Sequence, residues 1–181
     1  MTDAAKPFLS DVTTLRDRAR KLVAQGPGKI RYDGDVAAAI EILQAVLATE
    51  IVCVLRYTQH SIVADGIASE GVKAEFAAHA REEQGHVMLV AERITQLGGT
   101  PDFDPQTLVA RSASQYATAS DLVGMITENL VAERIAVDHY RELAQYFAQD
   151  DPTTRRMIEQ ILAVEEEHAN DMADLLARHR D

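Results

Sequence analysis

The chain has 181 residues, a single Cys, no Trp, 46% apolar and 26% charged residues, and a formal net charge of −11. That length and composition fit one globular domain with a real core and exclude a disordered or fibrous chain. One cysteine excludes an internal disulfide framework and any cysteine-based zinc or iron–sulfur cage, and the acidic balance speaks against nucleic acid as the main partner.

No uninterrupted apolar run of about 18 residues is present, so no membrane span is expected. The stretch from Met1 to Pro7 lacks the apolar segment of a secretory signal, which leaves a cytoplasmic location as the expectation. The charge is unevenly placed. Residues 1–31 carry seven basic and three acidic side chains, a local +4, so the remainder carries −15.

Taken in order, a few Pro and Gly clusters cut a helix-favouring composition into segments. A short amphipathic helix starts near Ser10 and Asp11 and stops at Gln25, Gly26, Pro27 and Gly28. A first long helix follows Asp35, which is placed to cap it, and runs to about Asp65 and Gly66. The second begins near Ser69 and ends at Leu97, Gly98 and Gly99, a strong C-terminal stop. Residues 100–120, with Pro101 and Pro105, read as a long crossover holding one short helical piece. The third long helix starts near Ser120 and Asp121 and reaches about Ala148. At the last break Asp151 caps and Pro152 takes the first helical position of a fourth long helix, which continues almost to the C-terminus. Short turns make two antiparallel pairs and one long crossover joins them. The expectation is an all-α protein: an N-terminal extension with a short helix over residues 1–34, then a four-helix bundle over residues 35–181.

Each long helix has an apolar stripe of 3.6-residue period, and each stripe is interrupted by a carboxylate. The interruptions are Glu50 among Leu43, Val46, Leu47 and Val54; Glu83 among Phe76, Val87 and Val90; Glu133 among Ile126, Leu130 and Val137; and Glu165 among Ile158, Ile161 and Met172. Core carboxylates are rare unless paired or metal-bound. Two of the four are followed by a histidine three residues on, His86 and His168, a spacing that puts both side chains on one helix face. Chance alone gives about 0.5 such match, so the weight lies in the combination with the lone glutamates. The halves also echo each other: Glu50 to His86 spans 36 residues and Glu133 to His168 spans 35. Four ionised carboxylates at one bundle centre would cost many kcal/mol unpaired, and two divalent cations neutralise them. A carboxylate-rich set with one nitrogen per metal suits Fe or Mn better than Zn. Glu82, Glu92, Glu166 and Glu167 lie off the stripes and read as solvated surface, Cys53 as a small core residue, and His79 as a satisfied or solvated histidine.

The set Glu50, Glu83-x-x-His86, Glu133 and Glu165-x-x-His168 resembles the bacterioferritin-type di-iron site of the ferritin-like superfamily, over residues 35–178. The resemblance implies that Glu83 and Glu165 bridge two irons, that Glu50 and Glu133 are terminal ligands, and that His86 and His168 supply one nitrogen each. It also implies that Tyr57 is the tyrosine held beside the centre, as a hydrogen-bond partner or electron donor. Gln84 stands where bacterioferritins carry the haem-ligating Met, so haem is not expected. Only 13 residues follow His168, too few for the fifth helix of a 24-subunit cage. Together with the N-terminal extension this looks more like Dps-like proteins that carry a bacterioferritin-type site in a twelve-subunit shell.

The function so implied is iron storage and detoxification: a ferroxidase that oxidises Fe(II) with O2 or H2O2 and holds the ferric mineral inside a homo-oligomeric shell. Its nearest rival on the same bundle is a dimanganese catalase or rubrerythrin-like peroxidase without mineral. A DNA-protecting, Dps-like role is supported only by the basic N-terminal segment, whose duller reading is a helix packed on the bundle exterior with solvated Arg residues. A di-iron oxygenase acting on an organic substrate has no evident cavity residues behind it.

Overall fold

A computed structural model describes residues 9–26, 30–66, 69–148 and 150–179. The chain divides into two compact units, residues 1–33 and 34–181. In the first, α1 (Val12–Ala24) is capped by Asp11, whose carboxylate accepts from the Thr14 amide at 3.0 Å and the Thr14 hydroxyl at 2.7 Å. None of its residues is buried, and Arg16, Arg18, Arg20 and Lys21 are all exposed. Lys6, Pro27, Gly28 and Lys29, which belong to the expected basic segment and its stop, lie outside the described residues.

The second unit is the expected four-helix bundle with one long crossover, built from α2 (Val36–Val63), α3 (Ser69–Gln96), α4 (Leu108–Arg111), α5 (Leu122–Phe147) and α6 (Pro152–His179). No strand occurs among the described residues. The local signals act as their chemistry dictates. Asp35 caps α2 by accepting from the amides of Ala37 and Ala38, and Asp121 caps α5 through the Gly124 amide. Helix α3 ends in paired bonds, Gly99 N–H to Ile94 O and Gly98 N–H to Thr95 O, with Gly98 at φ 87°. Only glycine adopts that backbone freely, and a Cβ on Gly99 would come within 2.9 Å of Ile94 Cγ2 and 3.0 Å of Ile40 Cγ2.

Helix α2 pairs with α3, and α5 with α6; the pairs meet along α2–α5 and α3–α6. Their apolar stripes close one core cluster with contributions from all four long helices, including Tyr57, Phe76, Ile126 and Met172. The crossover follows α2. Leu108 of the four-residue α4 packs on Ala48 and Val52, Arg111 donates to the Gln44 carbonyl, and the Ala113 amide donates to Thr49 Oγ1. At the start of α6, Asp151 accepts from the Thr154 amide at 2.9 Å and from Arg93 of α3 at 2.9 Å. Burial works to raise the Asp151 carboxyl, but Thr154 and Arg93 outweigh it and hold the group low.

By length and composition α2 is apolar enough to cross a membrane, with mean hydropathy 2.0 over its most apolar window. Glu41, Glu50 and Arg56 keep it from being an unbroken apolar run. Half of that window is buried inside the bundle, where α2 serves as the core helix.

Candidate metal centre

The four stripe glutamates and the two histidines meet at the middle of the bundle. Glu50 comes from α2, Glu83 and His86 from α3, Glu133 from α5, and Glu165 and His168 from α6; all six are buried. The spacing of three on α3 and α6 turns each histidine towards the carboxylate of its own helix. His86 Nδ1 lies 3.2 Å from Glu83, 3.0 Å from Glu165 and 3.4 Å from Glu50. His168 Nδ1 lies 3.5 Å from Glu83 and 3.9 Å from both Glu133 and Glu165. These contacts define two overlapping sets of potential ligand atoms, each set lying within 4.8 Å of itself. One is Glu50, Glu83, His86 and Glu165; the other is Glu83, Glu133, Glu165 and His168. Glu83 and Glu165 belong to both.

The protein leaves these groups underused. Eleven buried side-chain nitrogen and oxygen atoms among the described residues lack a hydrogen-bond partner, and five of them are here: Glu50 Oε2, Glu83 Oε1, Glu133 Oε2, Glu165 Oε1 and His168 Nδ1. Buried polar atoms are seldom orphaned, so a convergent group of five calls for something that binds lone pairs. Two divalent cations fit that donor set.

Electrostatics tell the same story. Burial, with the charge of Glu83, pushes the Glu50 and Glu165 carboxyls well above the usual carboxylate range, and Glu133 upward as well. Glu83 goes the other way: burial opposes its ionisation, but the nearby imidazoles of His168 and His86 prevail. Burial likewise opposes charge on the histidines, yet the close carboxylates raise His86 strongly and His168 to about 9. Four carboxylates cannot all ionise together here without cations, and protons fill that role in the metal-free cluster.

Around the cluster stand Tyr57, which the resemblance puts beside the centre, and residues that the helix pattern does not single out. Tyr57 donates its hydroxyl to Glu133 Oε1 at 2.5 Å and lies 3.1 Å from His79 Nδ1. His79 is buried and stacks on His168 with ring centroids 3.9 Å apart. Glu82 is indeed exposed, but its reading as plain solvated surface is corrected: its Oε2 sits 2.7 Å from His168 Nε2. A carboxylate there fixes the ring and leaves Nδ1 facing the cluster. The only sequence signal for it is adjacency to Glu83. Arg56 is wholly buried, donating to Asn129, Ser114 and the Gln115 carbonyl, and lies 5.7 Å over the Tyr57 ring. Cys53 packs beside it as a core residue, its thiol pushed well up by burial. A pocket of about 310 Å³, lined by Glu75, His79, Glu82, His86, His168 and Asp171 among others, reaches the cluster from outside.

The bundle with its single crossover and central carboxylate–histidine cluster is the plan of the ferritin-like class. Residues 40–180 match the ferritin-like domain model, and the chain belongs to that family. It is 30% identical over 155 residues to the nutrient stress-induced DNA-binding protein of Nostoc sp. (strain PCC 7120), covering 82% of this chain and 83% of the relative. Among solved structures it is similar to a dodecameric thioferritin, the bacterioferritin-related protein from Bacteroides fragilis, with TM-score 0.78 and 32% identity over 90% of this chain and 94% of that one. A ferritin-like diiron-carboxylate protein from Bacillus anthracis follows at TM-score 0.70 and 26% identity, covering 78% and 97% of the respective chains.

Proposed function

We propose that this protein is an iron-storage and detoxification ferroxidase, with Fe(II) as its substrate. The observation that carries the reading is the convergence of orphaned buried oxygens and a nitrogen in two ligand sets that share Glu83 and Glu165. In this reading Glu50 and His86 hold one ion, Glu133 and His168 the other, and Glu83 and Glu165 bridge them. Two Fe(II) supply one electron each; H2O2 takes two electrons and two protons to give two waters, or O2 takes them to give H2O2. Held side by side, the two ions deliver both electrons to one oxidant. Glu82 positions His168, and Tyr57 orients Glu133 through its hydrogen bond. Iron rather than manganese is favoured by likeness to the Bacillus anthracis diiron-carboxylate protein, and a twelve-subunit storage shell by likeness to the dodecameric thioferritin.

Anaerobic Fe(II) titration followed by H2O2 tests this reading. The rapid phase of oxidation is expected to saturate at two Fe(II) per chain, in an assembly of about twelve chains by native mass. A small dimer with no rapid phase would overturn it.

A second reading, DNA association, is favoured by the four exposed cations of α1 and by the name of the Nostoc relative. A salt-dependent gel shift that vanishes on removing residues 1–31 would support it. No retardation of DNA by the full chain at low salt would sink it, and equal retardation without that segment would take the contact away from α1.

A further inference from the structure

The pocket leading to the inner cluster has a second group of potential ligands at its mouth. Glu75 and His79 lie one turn apart on α3, and Asp171 faces them from α6. His79 Nε2 is 3.4 Å from Glu75 Oε1 and 3.6 Å from Asp171 Oδ2. Both distances exceed those of an N–H···O bond to a carboxylate. They match instead the edge of a tetrahedron: ligands about 2.1 Å from a divalent ion lie about 3.4 Å from one another.

The one phenolic proton of Tyr57 goes to Glu133, so the Tyr57 oxygen accepts from His79 Nδ1–H. In the neutral ring the proton is then on Nδ1, and Nε2 presents a lone pair to two carboxylates. Three acceptors converge with no donor between them. The His79 side chain is only 3% exposed, whereas those of Glu75 and Asp171 are 40% and 44% exposed, so the group opens to solvent on its carboxylate side.

We propose that Glu75, His79 and Asp171 form a third divalent-cation site at the pocket mouth, holding Fe(II) before it passes inward. The ligand class is a small divalent ion of the Fe(II), Co(II), Zn(II) series, bound by one imidazole and two carboxylates with the remaining positions left to water. The pocket walls connect this group to Glu82, His86 and His168, so an ion leaving it meets the inner histidines next. Cation binding at the mouth stands on its own residues, while the holding role rests on the proposed inner pair.

Co(II) alone, added to the full metal-free chain under equilibrium dialysis, is the test. The parent is expected to bind three ions per chain. Glu75→Gln with Asp171→Asn, both partly exposed and outside the inner set, should bind two. Glu50→Ala with Glu133→Ala should retain the single ion that the outer variant loses. A parent count of two, unchanged in the outer variant, overturns the third site. A parent count of one, lost in the outer variant, instead refutes the inner pair and leaves the outer site standing. The outer variant should also oxidise the first two Fe(II) per chain about tenfold more slowly, because its negative mouth is gone. A rate equal to the parent's overturns the holding role.

Discussion

Replacing Glu50 and Glu133 together by alanine is expected to slow rapid Fe(II) oxidation by about a hundredfold or more. Each substitution removes a carboxylate from one ligand set only, because Glu50 faces His86 while Glu133 faces His168. Glu83 and Glu165 cannot compensate, since both already belong to the two sets. Each ion would be left with one histidine and shared oxygens, too few for either to be held beside the other. Gln at both positions keeps the volume and removes the charge, and should give nearly the same loss. That pair of results separates the missing ligand from a packing defect. Stopped-flow oxidation after anaerobic loading reads the effect, and a double variant as fast as its parent would refute the metal-centre assignment.

The helices and their caps were legible because they depend on local chemistry. Asp35, Asp121 and Asp151 cap as short polar side chains do, and Gly98 supplies the left-handed turn that ends α3. The six central residues were legible for a related reason: a carboxylate on an apolar stripe contradicts its surroundings, and helical spacing fixes which face it occupies. What lay hidden depends on contacts between distant segments. Arg56 reads as a surface cation until Ser114 and Gln115 of the crossover and Asn129 of α5 are brought to it. Glu82 points away from its own stripe, and only the approach of α6 brings His168 Nε2 to it. His79 likewise acquires partners from two other helices: Tyr57 on α2, and His168 and Asp171 on α6. Periodicity within one helix carries no record of such meetings.

The cluster's proton affinity sets the second large effect. The metal-free protein is expected to lose thermal stability as pH rises from 6.5 to 9, and the metal-loaded protein to keep it. His168, raised to about 9, and His86, raised further, are both held protonated by the buried glutamates. A group whose folded pKa is raised contributes stability that is complete below its unfolded value, about 6.5 for histidine, and disappears as pH climbs through the folded value. The raised carboxyls of Glu50 and Glu165 act with the same sign, because the folded chain retains protons that the unfolded chain has released. Glu83, held low, works in the opposite sense but only below the usual carboxylate range. His79, lowered to about 4, also opposes, between that value and about 6.5, and so falls outside this window. Metal ligands must be deprotonated, so loading two divalent ions at pH 7 should expel about two to four protons per chain. Calorimetric unfolding across the pH series reads the first expectation, and Co(II) titration in a weakly buffered indicator dye reads the second. With the protons replaced by cations, the −4 of the four glutamates is balanced at every pH in the window. The slope should therefore vanish on loading, and a metal-free protein whose melting temperature is flat or rising from pH 6.5 to 9 would contradict the electrostatics of the centre.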